Sequence, residues 1–481
     1  MNAPLRRVAI SVLVLFTLLI VNVNVIQVVR SEELRSDGRN TRVLAEEYDR
    51  ERGSMIVGGT EVAFSVPTDD RLTYLRQYDQ GPVYAPVTGY YSLVYGNVQM
   101  ERAANEVLAG TDERLFVRRL ADLFTGRDPS GGDIVLTLDP AVQQTAMAGL
   151  EGVTGAVVAL DPSTGAVLGM ASTPTYDPNL LSSHQPAEIR AYADQLDAQE
   201  LDPRLNRATD ARYSPGSIFK VVVSAAALAG GDYSPDTVVP APDELVLPGT
   251  RTPLENFGGS ACDPSGRQSL LDALTVSCNT AFAQLGIDLG EDRVREMAEA
   301  FGITGEGMEI PLGVAGSTLG EIENDAQLGV SSIGQQDVQL TPLQAAMIAS
   351  AVGNDGTLMS PHLVEQVRAP DLSVIDQADP DELGEPVTPE VADQLTEMMV
   401  SVVEDGSGRR AQIDGVTVAG KTGTAENEGP DHNWFIGFAP ADDPQIAVAV
   451  FVANGGGTGG DVSAPIAREV MQAHLEGQGG S

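Results

Sequence analysis

The chain has 481 residues, 42% hydrophobic and 20% charged, with a formal net charge of −39 from 68 acidic and 29 basic residues. That length accommodates two or more domains with separate cores. The acidity argues against nucleic-acid binding, which requires basic patches to neutralise phosphates, and reads as a solvated surface with no specific partner.

Arg6 and Arg7 lead into an apolar run, Val8 to Val21, extended past Asn22 and Asn24 to Val29. Together these residues are about long enough to span a hydrocarbon core of roughly 30 Å. Arg30 follows, but Glu32 and Glu33 come directly after it. The positive-inside rule therefore places the N-terminus in the cytoplasm and the remainder outside the cell membrane. A cleavable signal peptide is the competing reading, yet no small-x-small site follows, which favours an uncleaved single-pass anchor over residues 1–30. Residues 31–60 are charged and irregular up to a strand-like Ser54–Val57, stopped by Gly58-Gly59. An amphipathic helix is expected near Asp112–Phe124, then turn residues Asp128-Pro129-Ser130-Gly131-Gly132, a strand Asp133–Leu138 and a helix Pro140–Leu150.

A cleaner pattern begins at Thr154. Gly155–Leu160 and Ala166–Ala171 are β-rich runs around Asp161-Pro162-Ser163-Thr164-Gly165, a hairpin with a bulge or longer loop. Helical signals dominate the middle, at Ile218–Ala229, Leu270–Leu289 and Thr341–Val352. Strands return at Val416–Ala419, Asn433–Phe438 and Gln445–Val452, before a helix Ala464–His474. A sheet that opens with a hairpin, receives a helical insertion and closes with three strands and a helix is an α+β arrangement. Cys262 and Cys278 are the only cysteines. They form either a disulfide closing a short loop, which an extracytoplasmic setting favours, or two buried thiols. Two cysteines and four dispersed histidines give no metal-site pattern.

Of the 29 basic residues only Lys220 and Lys421 are lysine. An ammonium can lose its proton when buried or crowded; a guanidinium cannot. In Ser217-Ile218-Phe219-Lys220, the turn residues Tyr213-Ser214-Pro215-Gly216 start a helix, so Ser217 and Lys220 share one face at i, i+3. Serine is a poor nucleophile until a base takes its proton. A neutral lysine is such a base where desolvation and nearby positive charge, from the helix N-terminus and Lys421, depress its pKa. On its own, Ser-x-x-Lys equally describes an exposed helix surface.

With Ser277-Cys278-Asn279 and then Lys421-Thr422-Gly423-Thr424, the chain resembles the penicillin-recognising serine enzymes, whose Ser-x-x-Lys, Ser-x-Asn and Lys-Thr-Gly motifs all occur here in order. Tyr213–Lys220, Gln339-Leu340-Thr341-Pro342-Leu343-Gln344, Ala419–Glu426 and Asn433–Pro440 also look like penicillin-binding protein sequence, so the likeness covers most of 154–475. It implies a penicillin-binding transpeptidase or serine β-lactamase-like fold, a central antiparallel sheet flanked by helices plus an all-helical lobe, over residues 151–478. Behind it, residues 31–150 would form an elongated, non-catalytic pedestal resembling a dimerisation domain. Too little sequence precedes Ser217 for a transglycosylase domain as well, so the chain resembles a class B penicillin-binding protein, similar to the smaller actinobacterial members.

The resemblance further implies a D-Ala-D-Ala transpeptidase that cross-links peptidoglycan stem peptides and is acylated by β-lactams. Ser217 would be the nucleophile and Lys220 its base; Ser277 and Asn279 would extend the hydrogen-bond network. Lys421 would supply positive field, with Thr422, Gly423 and Thr424 forming the substrate-binding strand. No metal or organic cofactor is implied. Its implied partners are stem peptides or their lipid-linked precursor, β-lactams, the membrane and a membrane-embedded SEDS-type glycosyltransferase. A β-lactam-hydrolysing enzyme, a D,D-carboxypeptidase of the same fold and a catalytically inactive cell-wall scaffold are the alternatives; a β-lactam sensor would carry several membrane spans. The anchor and pedestal argue against a β-lactamase, and the intact lysines against a dead scaffold.

Three further patterns compete. Gly415-Val416-Thr417-Val418-Ala419-Gly420-Lys421-Thr422 matches the phosphate-binding loop letter for letter, but that loop feeds a helix, whereas here a strand precedes the lysine and a turn over Gly423–Pro430 follows. Tyr95-Gly96-Asn97 resembles a β-lactamase motif but precedes the nucleophile. Asn454–Gly460 reads as a flexible glycine-rich loop. No Gly-x-Ser-x-Gly elbow accompanies His184, His362, His432 or His474, although His432 is placed to line a cleft rim.

Overall fold

The computed structural model describes residues 2–29, 47–115, 130–259, 261–427 and 429–478. The irregular run expected at 31–46, and the expected helix Asp112–Phe124 beyond Leu115, lie outside these residues; within that helix, Glu113–Leu115 forms one 3₁₀ turn. At the N-terminus, Asn2–Asn24 is α-helical and continues as a π-turn, Val25–Val29. Its 22 residues Arg6–Gln27, whose mean hydropathy reaches 2.5, are long and apolar enough to cross a membrane. Ser11, Thr17 and Asn24 each donate to a carbonyl one turn back, at 3.0, 2.9 and 2.8 Å. Internal bonding of this kind lets polar side chains sit in an apolar span.

Met55–Val57, Thr60–Pro67 and Tyr74–Tyr78 form an antiparallel meander, joined in parallel by Asp133–Leu136 beside Met55–Val57. Val364–Arg368 and Val374–Gln377 complete this six-stranded sheet from far along the chain. The sheet therefore draws strands from both sides of the 150/151 division expected from sequence. Pro140–Gly149, also placed with the pedestal by that division, packs on the C-terminal helix and on the strand Val167–Thr173. A strand added from so distant a segment leaves no local signal, which is why the sequence suggests a simpler seam.

The pedestal is pinned by a buried carboxylate. Glu101 accepts from Arg52 Nε and Arg76 Nε at 2.6 Å each and from the Tyr78 hydroxyl at 3.0 Å. Burial alone would push its carboxyl up, but Arg76 and Arg52 hold it below the usual carboxylate range. Removing one member of a buried pair leaves the others charged in a dry site. Glu101→Ala is expected to lower the unfolding free energy of the full chain by about 3–5 kcal/mol in chemical denaturation. A loss below about 1 kcal/mol would show that the two arginines find other partners.

The second body is built on a five-stranded antiparallel sheet in the order Ala419–Ala425, His432–Ala439, Ile446–Ala453, Thr154–Leu160, Val167–Thr173. Strand side chains alternate between faces, and here both faces are covered. Ala156, Val158, Ile436, Ala449 and Phe451 meet the buried helix Pro342–Gly353, while Val157, Ala159, Phe435, Val448 and Val450 meet Ala464, Ala467 and Val470 of Gly459–Gln478. Double coverage explains why these strands read as continuous apolar runs. The expected hairpin is present, with its register shift at Ala159/Leu160.

Three elements differ from expectation, all at the site. The single helix expected over Leu270–Leu289 is two, Leu270–Thr275 and Asn279–Leu289. Ser277 between them adopts a left-handed φ of 61° and Cys278 is extended. The strand expected at Val416–Ala419 runs instead over Ala419–Ala425, because the pairing partner His432–Ala439 sets its extent; Val416 only bridges back to Ile413. The final helix starts at Gly459, inside the expected loop, where Thr458 Oγ1 caps the Asp461 N–H at 3.1 Å.

Candidate active site

Ser217 lies in a 3₁₀ turn, Gly216–Phe219, that runs into the buried helix Lys220–Ala229. Gly216 is needed there: its φ is +55°, and a Cβ would sit 2.5 Å from the Thr424 carbonyl oxygen. The turn that carries Ser217 thus rests directly on the edge strand Ala419–Ala425. Trp434 Nε1 and Gln339 Nε2 hold Ser214, two residues before the turn, donating to its O and Oγ at 3.0 Å. These contacts give the penicillin-binding-like strings around Gln339 and Trp434 a positioning role.

Ser217, Ser277, Asn279, Thr422 and Thr424 line one cleft of about 1130 Å³. Lys220 and Lys421 lie behind its wall, both wholly buried. Lys220 Nζ donates to Ser277 O at 2.7 Å and Asn279 Oδ1 at 2.8 Å and lies 3.4 Å from Ser277 Oγ. Lys421 Nζ donates to the same Ser277 Oγ and to Thr422 O, both at 2.8 Å. The left-handed backbone at Ser277 is strain of the kind functional sites retain, and it aims both the carbonyl and the hydroxyl at the lysines.

The edge strand presents its backbone to the cleft. Thr422 O receives Lys421 Nζ and Thr424 O abuts Gly216. In an extended strand a residue's N–H and C=O point to the same side, so the Thr422 and Thr424 amides face that way too. Gly423 does not line the cleft; a Cβ on it would lie 2.7 Å from Pro215 O and 2.9 Å from Trp434 Cβ, so its contribution is close approach. Lys421 occupies the middle of a paired strand that leads through a turn into another strand, not the loop-to-helix geometry of a phosphate-binding loop.

The electrostatics separate the two lysines. Burial pushes the Lys220 amine well below the ordinary lysine range, and the charge of Lys421 pushes it the same way. Burial alone brings Lys421 down to about 7. Among the described residues neither forms an ion pair with a carboxylate. Both amines are thus pushed toward their neutral forms, with the charge of Lys421 adding to the push on Lys220. A base works above its own pKa and a cationic clamp below its own. The second-order acylation constant of the free enzyme is accordingly expected to rise as Lys220 loses its proton and to fall as pH passes about 7. Lys421→Arg, which cannot deprotonate, is expected to remove the alkaline fall. A flat alkaline side in the native protein would show that Lys421 keeps its proton.

Sequence reasoning missed two features. Ser407, in the turn after Pro389–Glu404, shares a 2.6 Å hydroxyl contact with Thr422 Oγ1 and lines the cleft. Pro253–Gly259 forms another part of the rim. Neither carries a motif, since a lone serine and a short hairpin are marked only by tertiary placement. Cys262 and Cys278 are joined in a disulfide. The rim position assigned to His432 falls to Asp431; the His432 ring turns inward against Tyr213 and Phe451, where burial lowers its pKa. His184 and His474 pair with Asp70 and Asp139, away from the cleft. Tyr95-Gly96-Asn97 lies at a pedestal hairpin, with Gly96 at φ +72° and Asn97 bonded to Glu101 O.

Residues 155–472 match the penicillin binding protein transpeptidase domain, and residues 52–134 match the penicillin binding protein A dimerisation domain. The chain is 48% identical to the peptidoglycan D,D-transpeptidase PbpA of Mycolicibacterium smegmatis over 99% of both chains. It is 47% identical to PbpA of Mycobacterium tuberculosis over 99% of this chain and 100% of that one. The structure of penicillin-binding protein A from M. tuberculosis as a ceftriaxone acyl-enzyme superposes with a TM-score of 0.88 at 45% identity, covering 90% of this chain and 100% of that one. Its penicillin G acyl-enzyme gives 0.85 at 45% identity over 89% and 100%.

Proposed function

Because the chain belongs to the penicillin-binding transpeptidases, and among them is a class B peptidoglycan D,D-transpeptidase, we propose that its five motif residues divide the reaction as follows. Ser217 Oγ attacks the carbonyl of the penultimate D-alanine while Lys220 Nζ accepts its proton. The observation that carries this is the hydrogen-bonding of Lys220. A neutral amine has two N–H groups and one lone pair; Ser277 O and Asn279 Oδ1 take the two N–H groups, leaving the lone pair for a hydroxyl proton.

The oxyanion is held by the backbone amides of Ser217 and Thr424, on facing sides of the contact that Gly216 permits, in a site preorganised before substrate arrives. The substrate carboxylate is held by Thr422, Thr424 and the charge of Lys421. When the carbon–nitrogen bond breaks, Ser277, already an acceptor for Lys421, relays the proton to the departing D-alanine amine. An acceptor amine from a neighbouring stem peptide then attacks the ester and gives up its proton to Lys220. The proton returns to Ser217 Oγ as the carbon–oxygen bond breaks. β-Lactams enter the first half of this sequence and stop there.

Purified full-length chain is expected to be covalently labelled by fluorescent penicillin and to lose the label slowly, while Ser217→Ala takes none. Lys220→Arg is expected to slow labelling by about 10²–10⁴-fold, the range of a general base. Undiminished acylation in that variant would remove the neutral-lysine mechanism.

We further propose that the Arg6–Gln27 helix anchors the chain with its N-terminus in the cytoplasm, supported by Arg6 and Arg7 at its start. The anchor and pedestal would serve a membrane-embedded SEDS-type glycosyltransferase. Protease outside intact spheroplasts is expected to digest the catalytic body, and a glycosyltransferase to co-purify with the chain from membranes. Protection from the protease would reverse the orientation.

A further inference from the structure

The three residues after Ser277 are each tied to the stretch Glu255–Cys262, which begins in the cleft rim. The Cys278 side chain is committed to the disulfide with Cys262. Asn279 Nδ2 donates to Glu255 O at 3.3 Å. The Thr280 N–H donates to Asn256 Oδ1 at 3.0 Å. Asn256 is buried and its own amide donates to Pro242 O at 3.3 Å, while Thr280 Oγ1 donates to the same carbonyl at 2.7 Å.

These ties answer two local problems. The first N–H groups of the helix Asn279–Leu289 have no intrahelical acceptor, and its N-cap residue Cys278 offers no side-chain cap. Asn256 supplies that cap from a different element. The Asn279 amide must also present Oδ1, not Nδ2, to Lys220. Glu255 O settles this by taking the Nδ2 donor, so that Oδ1 faces the Lys220 amine 2.8 Å away.

We propose that Asn256, with the Cys262–Cys278 disulfide, is a positioning device for acylation: it caps the Asn279–Leu289 helix from the cleft rim and thereby holds Ser277 and Asn279 at the distances that orient Lys220. This inference rests on the roles given above to Lys220, Ser277 and Asn279. Asn256 and its neighbours Glu255 and Phe257 also line the cleft, so the wall on which a substrate leans is the same one that supports the catalytic turn.

The test is stopped-flow acylation of the detergent-solubilised full chain by fluorescent penicillin, separating the first-order acylation constant from the dissociation constant of the initial complex. Asn256→Ala is expected to lower the acylation constant about tenfold or more, with the dissociation constant moved less than about threefold, as a misplaced catalytic group does. Asn256→Asp keeps the acceptor for the Thr280 N–H and is expected to recover most of the loss. Cys262→Ser, which cuts a different tie and touches none of the reacting groups, is expected to show the same split with a smaller fall. An acylation constant within about twofold of native in Asn256→Ala or in Cys262→Ser overturns the proposal. So does an Asn256→Asp variant as slow as Asn256→Ala. If Asn256→Ala does not fold, Cys262→Ser alone decides. Failure of the underlying site assignment shows differently, as absence of labelling in the native chain or labelling of Ser217→Ala.

Discussion

Two buried lysines meeting at one serine hydroxyl set the terms for the rest of the catalytic body. Lys220 and Lys421, both wholly buried, reach Ser277 Oγ at 3.4 and 2.8 Å from behind the cleft wall. Two ammonium groups cannot both stay charged so close together without carboxylate partners, and none is paired with them among the described residues. The fold therefore maintains an uncomfortable arrangement whose relief is the loss of a proton from one of the two amines. Arginine can occupy neither end of that exchange at the Lys220 position, which accounts for lysine surviving there in a chain that otherwise uses arginine.

Holding that arrangement requires backbone to approach backbone, and glycine marks the contacts. Gly216 lies against Thr424, Gly423 against Pro215, and Gly459 against the carbonyls of Gly423 and Trp434, where a Cβ would come within 2.3 Å of either oxygen. The glycine-rich run before the last helix is thus partly a packing device: it lets the start of that helix seat on the strand bearing Lys421. The Ser277 turn, lacking glycine, keeps its left-handed conformation beside attachments at the residues that follow it, Cys278 and Thr280.

Much of this was legible from residues alone, and the exceptions share a cause. Doubly covered strands such as Ile446–Ala453 announce themselves as apolar runs, and the buried helix Lys220–Ala229 follows from the turn before it. The motif serines and asparagine line one cleft, with the two lysines buried behind its wall. What stayed hidden depends on partners distant in sequence. Lys421-Thr422-Gly423-Thr424 has little intrinsic strand preference and becomes a strand by pairing with His432–Ala439. Val276-Ser277-Cys278 sits within helical periodicity and is broken by tertiary ties. Ser407 and Asn256 act through position only, so nothing in their neighbourhoods distinguishes them from ordinary loop polar residues.

The pedestal sheet has a consequence for how the molecule is made. Its two last strands, Val364–Arg368 and Val374–Gln377, leave the ribosome after Ser217 and the helices Lys220–Ala229, Asn279–Leu289 and Pro342–Gly353. Asp133–Leu136 consequently waits with one edge unpaired while the downstream region is synthesised. Domains usually complete in order of synthesis, but here the upstream one is finished by the downstream one. The two bodies share a folding fate: a chain halted before residue 377 has an unfinished pedestal as well as an unfinished enzyme, and its open sheet edge offers itself to other strands.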